Sequence, residues 1–172
     1  MEDQEIFAFQ SFIEESNNKL WGAHFTIPLH VSAALSSDEE RRVVCLLNDQ
    51  IEYQCAMLHK GDGSLLITVN KKIREQLRLK PGSQVQVQLR KDTSEYGLPV
   101  PEELAAVLEQ YPEGRQFFQA LSPGKQRTLL YIAGNVKNSD KRIERSLAIV
   151  EHLIGNQGKI DYKQLNLKLK GQ

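Results

Sequence analysis

GSLLITVNKKIREQLRLKPGSQVQVQLRK, residues 63–91, carries three patterns in succession, and the rest of the chain is read outward from it. Leu65–Val69 is a short apolar run rich in β-formers, entered through the turn Gly61-Asp62-Gly63. Asn70 is placed to cap a helix in which Ile73 and Leu77 stand four apart on one face. Lys80-Pro81-Gly82 is expected to end that helix, because proline disfavours helical backbone before it and glycine tolerates a positive φ. Val85, Val87 and Leu89 then alternate with Gln84, Gln86, Gln88 and Arg90, the pattern of a strand with one wet face. The stretch predicts strand–helix–strand.

The same pattern occurs earlier. Shifting by 42 residues places Phe25 on Ile67, Thr26 on Thr68, Ile27 on Val69, Val31 on Ile73 and Leu35 on Leu77. It also places Val43 on Val85, Cys45 on Val87 and Leu47 on Leu89, without a gap. A strand–helix–strand unit cannot bury its apolar face alone, so two copies are expected to close on each other. Such closure within one chain predicts a monomeric barrel.

Other strands are expected at Ile6–Ile13, Trp21–Leu29, Arg41–Leu47 and Ile51–His59, with a helical turn at His30–Leu35. Asn17-Asn18 marks a turn, and Ser36–Glu40 a polar break. A two-residue Asn48-Asp49 hairpin would set Cys45 opposite Glu52, leaving Cys45 and Cys55 out of register and unbridged. After Asp92 the composition changes. Thr93–Pro101 holds two prolines and a glycine and reads as a linker, with helical periodicity beyond it. Pro101 opens a helix with the stripe Leu104, Val107 and Leu108, and Glu113–Leu121 carries Phe117 and Phe118. Ser122 caps a helix containing Leu129, Leu130, Ile132 and Ala133. Ser139 or Asp140 caps the last long helix, with stripe Ile143, Leu147, Val150 and Ile154, and Gly155-Asn156 ends it. Residues 160–170 fit a short helix or a strand. The expected class is α+β: a small six-stranded pseudo-symmetric (double-split) β-barrel over residues 1–92, then a helical region over 93–172.

The 172 residues carry 22 basic and 22 acidic side chains, so net charge favours neither nucleic acid nor membrane as partner. The N-terminus is acidic where a secretory signal needs positive charge, and no apolar run is long enough to span a bilayer. Two cysteines are too few for a disulfide framework, and a cytoplasmic location is expected. His24, His30, His59 and His152 stand at no metal-binding spacing. No GxSxG elbow or phosphate loop is present; Ser122-Pro123-Gly124-Lys125 reads as a capped helix start. The chemistry therefore predicts no catalytic residues, metal site or cofactor. Between residues 71 and 91 there are seven Lys/Arg against one acid. Of these, Lys71, Lys72, Arg74 and Arg78 are the candidate contacts to a nucleic acid or anion. Against that use, the first copy is acidic at Asp38, Glu39 and Glu40, and no aromatics interleave with the cations.

Residues 67–89, ITVNKKIREQLRLKPGSQVQVQL, resemble the strand–helix–strand unit of AbrB/MazE-type transcription factors. Over nearly its full length the chain resembles the YdeI/OmpD-associated, or bacteriocin-protection, family. The carrying residues are Trp21, Thr26-Ile27-Pro28, Arg41-Arg42-Val43, Val69-Asn70-Lys71, Lys80-Pro81-Gly82, Phe117, Leu121-Ser122-Pro123-Gly124 and Arg142-Ile143. That resemblance implies a double-split barrel joined to a helical region and no established reaction. Members commonly carry an "Ala-Lys-Arg … Glu-Thr-Arg" run after the third helix; here Lys137 and Arg142 match it, while the threonine and first arginine do not. The expected function is a non-enzymatic interaction protein that docks a protein partner or a small ligand. An AbrB-like DNA-binding regulator is the alternative.

Overall fold

The computed structural model describes residues 4–16, 21–37 and 40–171; the expected Asn17-Asn18 turn lies outside them. The chain divides into two compact units, Met1–Thr93 and Ser94–Gln172.

In the first unit all six expected extended segments form. The first, expected over Ile6–Ile13, forms as β1 (Phe7–Phe12), and β2 (Glu14–Glu15) follows beyond its expected end. The fourth breaks at Met57 into β5 (Ile51–Ala56) and β6 (Leu58–His59). With β3 (Ala23–Ile27), β4 (Arg42–Leu47), β7 (Leu65–Thr68) and β8 (Gln84–Lys91), the described residues form eight strands rather than six. They form two antiparallel four-stranded sheets, ordered β1-β8-β4-β5 and β2-β3-β7-β6. The sequence reading ended the first segment at Ile13 and ran the fourth through Met57, both residues being apolar like the strand residues around them. Both side chains are buried in the core the sheets share, and the chain turns from one sheet to the other at each of them.

The 42-residue echo is present in the pairing itself. If a two-fold axis relates two copies, an antiparallel ladder between equivalent strands must centre on a residue and its own equivalent. Phe25 pairs with Ile67 in the β3–β7 ladder, and Leu46 pairs with Gln88 in the β4–β8 ladder. Both pairs differ by 42. The outer strands extend the repeat at a shift of 44: β1 pairs β8 as β5 pairs β4, and Glu14↔His24 matches Leu58↔Leu66. The extra two residues lie between β2 and β3, which seven positions separate, against five between β6 and β7. The corners correspond as well: the Ile13 N–H donates to the Ser83 carbonyl (2.9 Å) and the Met57 N–H to that of Arg41 (2.8 Å).

Helices α1 (Leu29–Leu35) and α2 (Lys71–Leu77) obey the same shift. Asn70 caps α2 as expected, accepting from the Ile73 N–H at 2.9 Å. Pro28 precedes α1 without a side-chain cap. Helix α2 ends before Lys80. Arg78 adopts a left-handed conformation (φ 55°), and the Leu79 N–H reaches back to the Arg74 carbonyl at 2.8 Å, a Schellman closure made without glycine. Lys80-Pro81-Gly82 forms the following turn, Gly82 at φ 88°.

The echoed residues Phe25, Ile27, Val31, Val43, Cys45 and Leu47, with equivalents Ile67, Val69, Ile73, Val85, Val87 and Leu89, make one buried core. Each fully buried side chain is worth about 1.5–3 kcal/mol of transfer free energy, so the inward face outweighs strand propensity. Where the sheets diverge, side chains serve backbone carbonyls. The Ser11 hydroxyl donates to Thr26 (3.0 Å) and the Tyr53 hydroxyl to Thr68 (3.3 Å), at equivalent acceptors. The β4–β5 turn has three residues, Asn48 to Gln50, so Cys45 faces Tyr53 and Cys55 faces Val43. The expected Cys45–Glu52 register is off by one, because Asn48 and Asp49 both take positive φ and Gln50 is added to the turn. Both cysteines are free.

The second unit contains α3 (Glu102–Gln110), α4 (Pro112–Ala120), α5 (Pro123–Gly134), α6 (Ser139–Gly155) and α7 (Tyr162–Lys170). Residues 160–170 are thus resolved as helix from Tyr162 onward, capped by the Asp161 carboxylate on the Gln164 N–H (3.0 Å). Asn138, rather than Ser139 or Asp140, caps α6, accepting from the Lys141 N–H at 3.1 Å. Phe118 and Ile149 are buried in the core of this unit, and Phe117 packs against it. Helix α6 packs against the other four. It therefore buries Ser146, Ile149, Val150 and Leu153, a wider and rotated face compared with the expected stripe, and leaves Ile143 exposed.

Candidate functional site

The helical unit carries the best-formed concavity, a cavity of about 500 Å³. One wall is Leu98-Pro99-Val100-Pro101, the end of the segment read as a linker. Each proline holds the residue before it extended, and Pro101 itself is extended (φ −58°, ψ 135°), which prevents α3 from starting earlier. The facing wall is the last turn of α5, with Leu130, Tyr131 and Gly134. The walls approach closely at their edge: a Cβ on Gly134 would lie 3.0 Å from Pro101 Cγ, so glycine is what fits there.

Charge closes the remaining side. Glu103, in the first turn of α3, accepts at one oxygen from Arg142 Nε (2.9 Å) and from the Ser139 hydroxyl (3.0 Å). Arg142 Nη1 also donates to the carbonyls of Val136 (2.9 Å) and Lys137 (2.7 Å). One guanidinium thus ties α6, the α5–α6 loop and α3 together. The Glu103 carboxyl is held below its usual range by its own backbone N–H, then by Arg142 and Ser139. Beside it Glu102 is exposed and makes no ion pair among the described residues. On the other side of Glu102 and Glu103 a shallower groove runs between α3 and α6, over Ala106, Val107, Ile143 and Leu147.

The four cations singled out in the sequence lie together on α2 and at its end, but two are committed. Lys71 pairs with Glu75 (3.7 Å) and Arg74 Nη1 donates to the Val69 carbonyl (2.9 Å). Lys72 and Arg78 are exposed, at opposite ends of a seven-residue helix. The equivalent exposed positions on α1 are Leu29, His30, Ala33 and Ala34, so the basic face belongs to one half of the repeat.

The histidines serve the fold. His24 is buried, its Nδ1 3.0 Å from the Gly22 carbonyl and its Nε2 3.5 Å from the Glu14 carboxylate. Glu14 is held by Lys60 (3.0 Å) and Thr26 (2.9 Å), and in that order these hydrogen bonds lower its pKa. His152 Nε2 accepts the Asp161 N–H at 3.0 Å, and burial lowers its pKa. Burial pushes the Cys45 thiol up to about 12 and raises that of Cys55 as well. Among the described residues no group of three His, Cys, Asp or Glu is placed to hold a metal, and no helix is long and apolar enough to cross a membrane.

Residues 98–154 match the family model described as Bacteriocin-protection, YdeI or OmpD-Associated. Over these residues the helical unit is similar to the YdeI/OmpD-associated family. Residues 9–89 match the model of a domain of unknown function, DUF1905. No curated protein matches the chain. Every residue lining the 500 Å³ cavity falls inside the YdeI/OmpD-associated match. Arg142, one of the two residues that fit the family's Lys/Arg run, is the cavity's internal tie. Sequence reasoning missed Glu103 and Tyr131 as site residues. The Glu103–Arg142 pair is 39 positions apart, and an exposed tyrosine in a helix carries no signal of a cavity beside it. The Pro-Val-Pro stretch was the legible clue, read only as a linker.

Proposed function

We propose that this protein, similar to the YdeI/OmpD-associated family in its helical unit, is a non-enzymatic binding protein, and that the α3–α5–α6 cavity of that unit is the ligand site. The observation that carries the reading is the cavity's make-up: apolar walls from Leu98 to Pro101, Leu130 and Tyr131, with a few fixed polar groups at one side. That is the usual composition of small-ligand sites, roughly 300–1,000 Å³ in volume. Three groups able to act as base or nucleophile, His152, Cys45 and Cys55, lie outside this cavity's lining. The His152 lone pair is occupied by a backbone N–H, and the cysteine thiols are kept protonated by burial. The two sheets of the first unit are read in the same proposal as a double-split barrel, closed within one chain and acting as a monomeric, cytoplasmic support.

A saturation-transfer NMR screen of the full chain against a small-molecule extract tests the site. A compound that binds the wild type and is lost in Tyr131→Ala is the expected result; hits that all survive in Tyr131→Ala would overturn it. The DNA-binding alternative is weaker because only Lys72 and Arg78 of its four cations are unengaged. Duplex DNA binding at low salt that falls steeply as salt is added would restore it.

A further inference from the structure

Resting on that reading of the cavity, we infer that its ligand is an organic cation, an ammonium group carried on an apolar or aromatic body. The argument begins from charge. Three charged side chains line the cavity: Glu102, Glu103 and Arg142. Arg142 is the lone cation among them; its Nε is engaged by Glu103 and its Nη1 by the carbonyls of Val136 and Lys137. The ion pair balances the charge of Glu103 against that of Arg142. Glu102 is the charge left over. It lines the cavity, is exposed, and has no hydrogen bond or ion pair among the described residues.

Tyr131 supplies the second element. The residue is 63% exposed and lines the cavity, and it makes no ring contact or hydrogen bond among the described residues. A bare aromatic face beside an unpaired carboxylate attracts a cation twice, through the ring quadrupole and through the ion pair. The proline and leucine walls opposite give the rest of such a ligand an apolar surface to cover. An anionic ligand would meet the unpaired charge of Glu102, while Arg142 already has its own charge balanced by Glu103.

Two-dimensional NMR titrations of the full chain with phenethylammonium, and with phenylpropionate as its anionic counterpart, test the assignment. The cation should shift the backbone signals of Glu102, Tyr131 and Gly134 saturably, and the anion should not. Glu102→Gln should weaken the cation about two- to fivefold, as expected of an exposed ion pair, and Tyr131→Ala should weaken it independently. N-acetyl-lysine amide is titrated alongside; whichever cation binds tighter tells a free amine from a lysine side chain, and binding of either supports the assignment. Phenylpropionate shifting the same signals as strongly as the cation would overturn the charge class and leave the site standing. If no probe, cationic or anionic, shifts these residues, both the charge class and the site fall.

Discussion

Gly114 offers a sharp test of how tightly the helical unit is packed, because two principles give opposite signs for replacing it. It lies in α4, where alanine is intrinsically better than glycine by about 0.8–1 kcal/mol. Yet a Cβ built there would sit 2.5 Å from Val150 Cγ1, with Ile154 Cδ1 at 3.5 Å. Carbon atoms in contact prefer about 3.5–4.0 Å, and Val150 is buried on α6, which the other four helices of its unit pack against, so neither side can yield cheaply. Overpacking of this kind costs about 1–3 kcal/mol. Gly114→Ala is therefore expected to lose roughly 0.5–2 kcal/mol net, after the propensity gain. Gly124 in α5 is the internal control: it is also helical, but a Cβ there meets nothing within 4 Å. Gly124→Ala should be neutral or stabilising by up to about 1 kcal/mol. Urea unfolding of the full chain, followed by far-ultraviolet circular dichroism, measures both. The midpoint should fall by roughly 0.3–1 M for Gly114→Ala and should not fall for Gly124→Ala. A Gly114→Ala protein as stable as wild type would refute the close α4–α6 approach.

His152 makes the helical unit acid-sensitive. Its folded pKa lies below the ordinary value, so its contribution is complete above about pH 6.5 and is lost as pH falls through the folded value, when protonation removes the acceptor for the Asp161 N–H. Stability measured from about pH 7.5 down to 5 should fall less in His152→Gln, which can accept that bond without titrating. Arg78→Gly should stabilise the first unit by about 0.5–1 kcal/mol, since glycine takes the left-handed position without a Cβ penalty; thermal melting reads the change. Thiol titration should find two free groups in denaturant and far slower labelling in the native protein, because burial keeps the Cys45 and Cys55 thiols protonated.

What the sequence determined by itself was everything carried by short-range periodicity. The alternation of Val85, Val87 and Leu89 and the Asn70 cap were legible, and both reappear in the structure. The 42-residue echo went further. A repeat of apolar positions implied a two-fold relation, and the Phe25–Ile67 and Leu46–Gln88 pairs now carry it at the level of register. Local pattern suffices there because burying one face of a strand or helix is a demand each copy makes on the other.

Tertiary structure alone decided the rest. The corners at Ile13 and Met57 depend on where a second sheet lies, which neither residue's neighbours reveal. The added Gln50 in the β4–β5 turn moved Cys45 from Glu52 to Tyr53, a one-residue slip that backbone φ at Asn48 and Asp49 controls and composition does not. The rotated face of α6 follows from its being packed on by four helices rather than one. The candidate site is the clearest case. It is an open space lined by Pro101, Tyr131, Gly134 and the Glu103–Arg142 pair, residues spread over more than forty positions. A cavity is a property of the gaps between side chains, and a sequence records only the side chains.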